Sequence, residues 1–434
     1  MSKFALFFML VYLGGFISAF ATNGASAFLL YQAVYMINAE QRWWYYQVPD
    51  VSYSFFTSIL MLAVLVSQYN KLTAVTRWRD LPVLKWILLF LLLHYVGYLH
   101  ALNEMQHSMF TFNFFKLFII FMVAYKLINT EKMLDACLWV YVLGCTYIGY
   151  VAHGVGRNGS GRVEGIGMVD TGGDSNSVAA VLAPSIVVIL YFAWQGTWKI
   201  RLLAAFCSAF VVNALVLINS RGSFLAVVVG AGLFVIYMLV SRYQKKGQRA
   251  TAVFIVVSGL AGAISLTDAT FWERMQTLQT TEQAPHGDDG RDRMEYWMAT
   301  LEMIDDYPLG MGVGGFNAVS IGYIGMNKVP HSTWFQVLGE FGWHGLAIFI
   351  VMLLSTVQLS RKTKTHLLLH DRITSYFKIL MLECALISFL VAASFIDRAR
   401  AEILFWLILF ICIAYNVYFL QQQTDRLKLK ENSS

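Results

Sequence analysis

The chain has 434 residues, of which 58% are hydrophobic and only 13% are charged. Soluble globular domains carry about 25% charged residues, so this composition excludes an ordinary soluble protein and indicates a chain that has lipid as its solvent. Basic cytoplasmic loops account for most of the formal net charge of +6, and we expect no nucleic-acid partner.

Apolar runs recur along the chain at the length of about 17–25 residues that a helix needs to cross a bilayer. We predict an all-α polytopic membrane protein with about twelve transmembrane helices. The stretch Ala25–Ile37 is short for a span, so we expect it to be a re-entrant or interfacial piece that does not cross. The predicted spans lie near residues 4–20, 53–69, 82–99, 108–127, 134–153, 177–194, 201–219, 222–240, 250–266, 332–358, 374–395 and 402–420.

Basic residues orient these spans, because Lys and Arg concentrate in cytoplasmic loops. With both termini in the cytoplasm, 21 of the 32 Lys and Arg residues lie on the cytoplasmic side, ten lie on the outer face and Lys116 lies within a helix. Nine of the ten outer residues are arginine. Since the planar guanidinium group suits phosphate oxygens, we expect the outer, periplasmic face of a bacterial inner-membrane protein to bind an anionic ligand.

One large periplasmic loop, residues 267–331, separates two groups of spans. Within it, Arg291 to Asp306 places Met294, Trp297, Met298, Leu301 and Ile304 at helical spacing, which predicts an amphipathic helix along the membrane surface. Asp288 or Asp289 can cap that helix.

Two further outer connections carry candidate ligand-binding residues. Residues 154–176 are rich in glycine and contain Arg157, Arg162, Asp174 and Asn176. Such a loop can wrap a ligand, because glycine permits close backbone approach, or it can be a flexible connector.

Three more candidates lie at the predicted ends of helices. Arg221 lies in a tight turn between two spans, where it either faces a ligand or extends to the lipid interface. Arg293, with Arg291 beside it, begins the loop helix and either binds a ligand or lies on a solvated face. His331 follows Pro330 at the start of a long apolar helix and carries the side chain best suited to exchange a proton near neutral pH.

The sequence around these residues resembles that of the O-antigen ligase/polymerase superfamily. His331 to Leu346, HSTWFQVLGEFGWHGL, is similar to its signature of a His followed by a Leu-x-Glu-x-Gly-x-x-Gly-Leu helix. Arg291 to Phe316 resembles its Arg-x-x-x-Trp-x-x-Ala segment and glycine-rich continuation, and Asn219 to Ser223 its Ser-Arg-Gly span end. Arg162 to Gly165 and Asp174 to Ala179 resemble its Arg-x-x-Gly and Asp-Pro-Asn elements, with Ser175 in place of proline. The N-terminal third looks most like the O-glycosylation ligases that accompany exosortase systems.

The resemblance implies a GT-C-like architecture and an inverting, metal-independent glycosyl transfer without a cofactor. The donor would be an undecaprenyl-diphosphate-linked glycan, and the acceptor hydroxyl would belong to lipid A-core or a protein. His331 would be the general base, and Arg162, Arg221 and Arg293 would bind the diphosphate. Auxiliary roles fall to Arg157, Arg291, Asp174, Asn176 and Glu340.

Two other functions stay open at this point. A polymerase would share these motifs and join repeat units on the lipid carrier, with a growing glycan as acceptor. A transporter would need ionisable residues around a midplane cavity and repeated halves, and no repeat is visible. The resemblance divides the chain into N-terminal helices (1–161), a ligase/polymerase core (162–346), and C-terminal helices with a cytoplasmic tail (347–434).

Overall fold

The structure is a computed structural model that describes residues 1–276 and 290–423, without the side chains of residues 274 and 290–292. The chain is 79% helical and contains no strand in these parts. Ten of the described helices are long and apolar enough to cross a membrane, or eleven with the bent pair Tyr53–Ser67 and Tyr69–Asp80; Pro82–Gly97 is a shorter apolar helix. The prediction of an all-α polytopic membrane protein is confirmed, and each of the twelve predicted spans coincides with a helix.

The described part of the chain is a succession of α-helices, and Asn416–Leu420 continues the last one as a π-helix. In chain order they are Lys3–Ala21 (α1), Ala25–Ile37 (α2), Tyr53–Ser67 (α3), Tyr69–Val75 (α4), Pro82–Gly97 (α5), Glu104–Leu127 (α6), Glu131–Val155 (α7), Ser175–Gln195 (α8), Trp198–Ile218 (α9), Arg221–Val240 (α10), Gln248–Leu266 (α11), Ala269–Gln276 (α12), Gly290–Asp306 (α13), Gly315–Ile324 (α14), Thr333–Leu369 (α15), Ile373–Ala393 (α16) and Glu402–Tyr415 (α17).

Two opposite ends of the bundle can be defined by contacts between connections. Arg398 Nη1 donates to the backbone oxygen of Asp170 at 2.7 Å, which joins residues 156–174 to residues 394–401. We call this the site end. At the other end, the tail end, Gln421 Nε2 donates to the backbone oxygen of Asn129 at 2.9 Å.

The first helix begins at the site end. The ring of Phe4 lies 6.0 Å from the ring of Tyr150 near the end of α7. The hydroxyl groups of Ser18 and Ser26 are 2.8 Å apart, so α1 and α2 run antiparallel. At the end of α2, Arg42 Nη2 donates to the backbone oxygen of Gly167 at 3.0 Å. Helix α2 therefore runs from the tail end back to the site end.

This path corrects two expectations. The expectation that Ala25–Ile37 does not cross is wrong: most of its side chains are buried, and it packs against α1, α3 and α7. A helix of this length spans about 20 Å, and the two 3₁₀ turns Ala39–Gln41 and Tyr45–Gln47 follow it before α3 begins. The expectation that both termini share the cytoplasmic side is also wrong, because residues 1 and 423 lie at opposite ends of the bundle.

The predicted amphipathic helix is present as α13, but its buried face coincides only in part with the predicted one, of which Ile304 is buried. Tyr296, Ala299 and Met303 are buried against α14 and α15. Met294 and Met298, which we expected on the apolar face, are exposed. The proposed capping residues 288 and 289 lie outside the described residues.

Helix α15 is kinked at Gly342, whose φ of 66° and ψ of −172° are not helical. The kink lets the glycine-rich residues 310–312 pack across the helix. The backbone N–H groups of Met311 and Gly312 donate to the oxygens of Gly339 and Glu340 at 2.8 and 3.0 Å. This packing anchors the segment between α13 and α14 to the membrane helices.

Candidate active site

A narrow crevice at the site end brings together three of the residues that the sequence singles out. The start of α8, the turn between α9 and α10, and the start of α13 contribute Asn176, Arg221 and Arg293. The crevice has a volume of about 20 Å³, and its far wall is formed by Phe395 and Ile396. Two guanidinium groups therefore converge from helices that are far apart in sequence.

Arg162 joins this cluster through Asn176. Its Nη2 donates to Asn176 Oδ1 at 2.7 Å, and its Nε donates to the backbone oxygen of Ile218 at 3.0 Å. The second contact fixes the guanidinium group beside the end of α9, next to Arg221. The structure thus places Arg162, Arg221, Arg293 and Asn176 in one neighbourhood, which we call the arginine crevice.

The turn between α9 and α10 is rigid for local reasons. Asn219 adopts a left-handed conformation with φ of 57° as the C-cap of α9, and its side-chain amide donates to the backbone oxygen of Thr270 at 3.3 Å. A Cβ at Gly222 would lie 3.1 Å from the Phe395 side chain, so only glycine fits without displacement. Arg221 is therefore held at the start of α10 by a tightly packed turn.

Asp174 acts as a helix cap in this structure. Its two carboxylate oxygens accept from the backbone N–H groups of Asn176 and Ser177 at 3.3 and 2.8 Å, as an N-cap aspartate does. The amino-terminal end of α8 adds a partial positive charge beside Asn176. Asp174 therefore fixes the start of α8, and with it Asn176, without lining the crevice itself.

Two predicted auxiliary residues lie elsewhere. Arg157 forms an ion pair with Asp268, and its Nη2 donates to the backbone oxygen of Val216 at 3.0 Å, so it ties the loop to the segment before α12. Glu340 forms a two-pronged ion pair with Arg400 and does not line the crevice. The side chain of Arg291 lies outside the described residues.

His331 lies beside the crevice in a constrained backbone conformation. Its φ is 50°, a left-handed value. Its ring centroid is 6.1 Å from the ring centroid of Tyr296. Tyr296 lies one helical turn from Arg293 on α13. The backbone oxygen of the preceding Pro330 accepts from Trp297 Nε1 at 3.1 Å. Helix α13 therefore fixes the histidine on one side.

Asp397, which sequence analysis did not single out, fixes His331 on the other side. Its Oδ2 accepts from the backbone N–H of His331 at 3.1 Å, and its Oδ1 accepts from that of Ser332 at 3.0 Å. Burial raises the pKa of the Asp397 carboxyl to about 7. The available signal was the segment IDRARAE, residues 396–402, which places four charged residues in one short connection between spans.

A second and much larger cavity, of about 1180 Å³, opens at the same end of the bundle. Its floor carries two ion pairs of residues 394–401, namely Arg398 with Asp170 at 2.9 Å and Arg400 with Glu340 of α15. Ile396 lines the arginine crevice and Asp397 lines this cavity. The backbone N–H of His331 donates to Asp397, and its neighbour Pro330 lines this cavity, but His331 itself lines neither opening.

The comparison with known families bears on residues 206–350, which match the family described as O-antigen ligase. This segment holds Arg221, Arg293 and His331; Arg162 and Asn176 precede it. No curated protein matches the sequence. The match confirms, for residues 206–350, the resemblance that the motifs indicate, and it supports the O-antigen ligase-like superfamily.

Proposed function

We propose that the chain is an inverting, metal-independent glycosyltransferase of the bacterial inner membrane, with its site end in the periplasm. It would transfer a glycan from undecaprenyl diphosphate to an acceptor hydroxyl of lipid A-core or a protein. The observation that carries this proposal is the convergence of Arg162, Arg221 and Arg293 on one crevice beside His331. The family match supports the reaction class.

The chemistry follows from charge. As the bond between the anomeric carbon and the phosphate oxygen breaks, its electron pair moves onto the diphosphate. Arg162, Arg221 and Arg293 supply fixed donors for that charge, which is the role of a preorganised electrostatic site. Because these groups can replace a metal ion, we expect activity to persist in EDTA. A diphosphate is larger than the crevice, so its binding must displace the side chains that line it.

His331 would act as general base. It takes the proton of the acceptor O–H group while that oxygen forms the new bond to the anomeric carbon. Since the nucleophile enters opposite the leaving diphosphate, the anomeric configuration inverts. The product would be a glycan linked to the acceptor and free undecaprenyl diphosphate.

The test is transfer by the purified full chain with a lipid-linked glycan donor. We expect His331→Ala and Arg221→Ala to lower the rate by about 100-fold or more, by analogy with a loss of about 3 kcal/mol when one oxyanion donor is removed. Lys328→Ala, an exposed charge in the same loop, is the matched control and should keep its rate. Normal transfer by either variant would refute the role assigned to that residue.

The same mechanism would serve a polymerase that joins repeat units on the lipid carrier. A deletion strain separates the two activities by glycan electrophoresis. Full-length unattached polymer indicates a lost ligase, whereas a product of single repeats indicates a lost polymerase. We favour the ligase because of the resemblance of the N-terminal third.

A further inference from the structure

The connection between α16 and α17 touches two parts of the candidate active site. Phe395 and Ile396 form the far wall of the arginine crevice. The next residue, Asp397, accepts hydrogen bonds from the backbone N–H groups of His331 and Ser332 at 3.1 and 3.0 Å. One short stretch of backbone therefore carries a wall of the crevice and the support of the proposed base.

Thr333, in the first turn of α15, holds this connection by its backbone. Its Oγ1 donates to the backbone oxygen of Ile396 at 2.8 Å and accepts from the backbone N–H of Arg398 at 3.0 Å. The hydroxyl group thus bonds to both neighbours of Asp397. The side chain is fully buried, and in the part of the chain that the structure describes it lines neither the crevice nor the large cavity. It therefore acts on the site through this backbone.

Two further side chains continue the contact along the same face of α15. Gln336, about one helical turn after Thr333, accepts from the backbone N–H of Ala399 at its Oε1, at 3.1 Å. Its Nε2 donates to Glu340 Oε1, also at 3.1 Å, and Glu340 pairs with Arg400. Residues three and four apart lie on one face of a helix, so α15 binds successive positions of the connection in order.

The attachment between α15 and the connection is reciprocal. Thr333 of α15 bonds to the backbone of the connection, and Asp397 of the connection bonds to the backbone that leads into α15. Loss of the hydroxyl group would take a hydrogen bond from one backbone donor and from one backbone acceptor. Unmet buried polar groups are costly, so the connection would shift to recover these bonds.

Such a shift matters for the proposed reaction. A general base must lie within hydrogen-bond distance of the proton that it takes, while the crevice holds the donor by its diphosphate. A misplacement of about 1 Å can lower a rate by about 100-fold, even when its origin is remote from the reacting atoms. The distance between His331 and the crevice must therefore be fixed by the fold.

We propose that Thr333 is a positioning residue for the transfer reaction, which keeps His331 in place relative to the arginine crevice. It acts through the connection, whose wall residues face the crevice and whose Asp397 holds His331. Gln336 supports the same backbone from the next turn. The positioning role rests on the proposed glycosyl transfer, whereas the attachment of the connection to α15 does not.

Two substitutions separate the hydroxyl group from the shape of the side chain. Thr333→Val keeps the shape and removes the hydroxyl, and Thr333→Ser keeps the hydroxyl. In the purified full chain we expect Thr333→Val to lower kcat about tenfold with an unchanged KM for the lipid-linked donor, because the arginines of the crevice lie on other elements. Thr333→Ser should retain most of the wild-type kcat.

Thr356→Val is the matched control for these two variants. Thr356 is equally buried on α15, but its hydroxyl donates within its own helix, to the backbone oxygen of Met352 at 3.0 Å. This variant should keep the wild-type kcat. A milder second variant is Gln336→Met, which removes one hydrogen bond to the same connection and should lower kcat less than Thr333→Val does.

The pH profile distinguishes positioning from a loss of folded protein. Burial raises the pKa of the Asp397 carboxyl to about 7, and the two backbone hydrogen bonds that it accepts lower it; Glu340 and Arg400 also interact with this carboxyl, in opposite directions. If Thr333→Val weakens those hydrogen bonds, the pKa rises and the acid limb of kcat/KM moves to higher pH. A smaller folded fraction would lower the rate equally at every pH.

Hydrogen exchange tests the attachment without any activity. In the full chain in detergent, the backbone amides of residues 331–332 and 396–399 should exchange faster in Thr333→Val than in the wild type or in Thr356→Val, as read by mass spectrometry. The amides of these segments in Thr333→Ser should exchange as in the wild type.

The proposal is overturned if a chain that transfers glycan keeps its kcat and its acid limb in Thr333→Val, or if Thr333→Ser loses as much activity. Unchanged exchange of residues 331–332 in Thr333→Val would also overturn it. If Thr333→Val does not fold, a wild-type kcat in Gln336→Met has the same meaning. Faster exchange in a chain that transfers no glycan would refute the proposed function and leave the attachment standing.

Discussion

Asp397 holds the proposed base in a conformation that the backbone does not favour. A left-handed φ in a residue other than glycine costs on the order of 1–2 kcal/mol, and His331 has a φ of 50°. The carboxylate of Asp397 accepts from two consecutive N–H groups at 3.1 and 3.0 Å, which offsets this cost. Asp397 is therefore a positioning residue that acts through the backbone of His331.

This arrangement predicts a contribution of Asp397 to the pH profile. The ionised carboxylate accepts both hydrogen bonds best. Burial raises the pKa of the carboxyl to about 7, although the hydrogen bonds from the backbone N–H groups of Ser332 and His331 lower it. The group therefore takes up a proton as the pH falls through about 7. Positioning of His331 should then weaken, and kcat/KM should fall. We expect Asp397→Asn to lower kcat/KM about tenfold above pH 8, for the loss of one charge-assisted hydrogen bond, and to make the acid limb shallower.

The measurement is kcat/KM against pH for both proteins. Asp50→Asn is the control, because Asp50 is exposed at the same end of the bundle and accepts from the Tyr45 hydroxyl. It should reproduce the wild-type profile. An acid limb of unchanged steepness in Asp397→Asn would show that the carboxyl does not titrate in the active protein.

Single residues could be predicted where their chemistry is distinctive. Arg162, Arg221 and Arg293 were identified because guanidinium groups at the outer face need an explanation, and the structure brings them together. Arg398 and Arg400 belong to the same outer set, but their partners Asp170 and Glu340 are distant in sequence. Only the fold shows that Arg398 and Arg400 pair with these carboxylates and that Arg221 and Arg293 line the crevice.

At the scale of elements, the kink in α15 determines how the loop between α13 and α14 meets the membrane helices. Gly342 has a positive φ, and a Cβ on it would lie 2.5 Å from the backbone oxygen of Pro308. Alanine at this position would clash and adopt a backbone conformation that is essentially reserved for glycine. The same kink positions Glu340, which pairs with Arg400 on the cavity floor.

We therefore predict that Gly342→Ala destabilises the protein. The strain of about 1–3 kcal/mol should lower Tm by about 5 °C, measured by thermal unfolding in detergent. Gly232 is the matched control: it lies within α10 with open space around its Cβ, and Gly232→Ala should leave Tm equal or slightly higher. Equal Tm values for the two variants would contradict this account of the kink.

Transmembrane helices could be predicted wherever the thickness of the bilayer sets their length. Every apolar run long enough to cross proved to be a helix, because a backbone in hydrocarbon must satisfy its own hydrogen bonds. The buried face of α13 was not predictable. Apolar periodicity marked Ile304, which is buried, but also Met294 and Met298, which are exposed. Packing against α14 and α15 buries Tyr296, Ala299 and Met303 as well, because periodicity does not tell which apolar stripe meets protein.

At the scale of the whole molecule, the incorrect expectation was that α2 does not cross, and it arose because protein surrounds this helix. The rule of about 20 residues per span applies to a helix in lipid. Helix α2 is enclosed by α1, α3 and α7, so a shorter helix with adjoining turns is sufficient. Charge counting could not correct this, because only Lys3 distinguishes the two topologies on the N-terminal side. The consequence is that the amino terminus shares the site end with the arginine crevice.

With the site end in the periplasm, as we propose, this topology predicts which cysteine variants a membrane-impermeant maleimide labels from the periplasm. The five native cysteines are buried, so background labelling should be low. Lys3→Cys and Tyr46→Cys place exposed thiols at the site end, and both should react in intact cells from which the outer membrane has been removed. Ala21→Cys and Lys246→Cys lie at the tail end and should react only after the inner membrane is permeabilised. If Lys3→Cys behaved like Lys246→Cys while Ala21→Cys reacted from outside, α1 would run in the opposite direction and α2 would not cross.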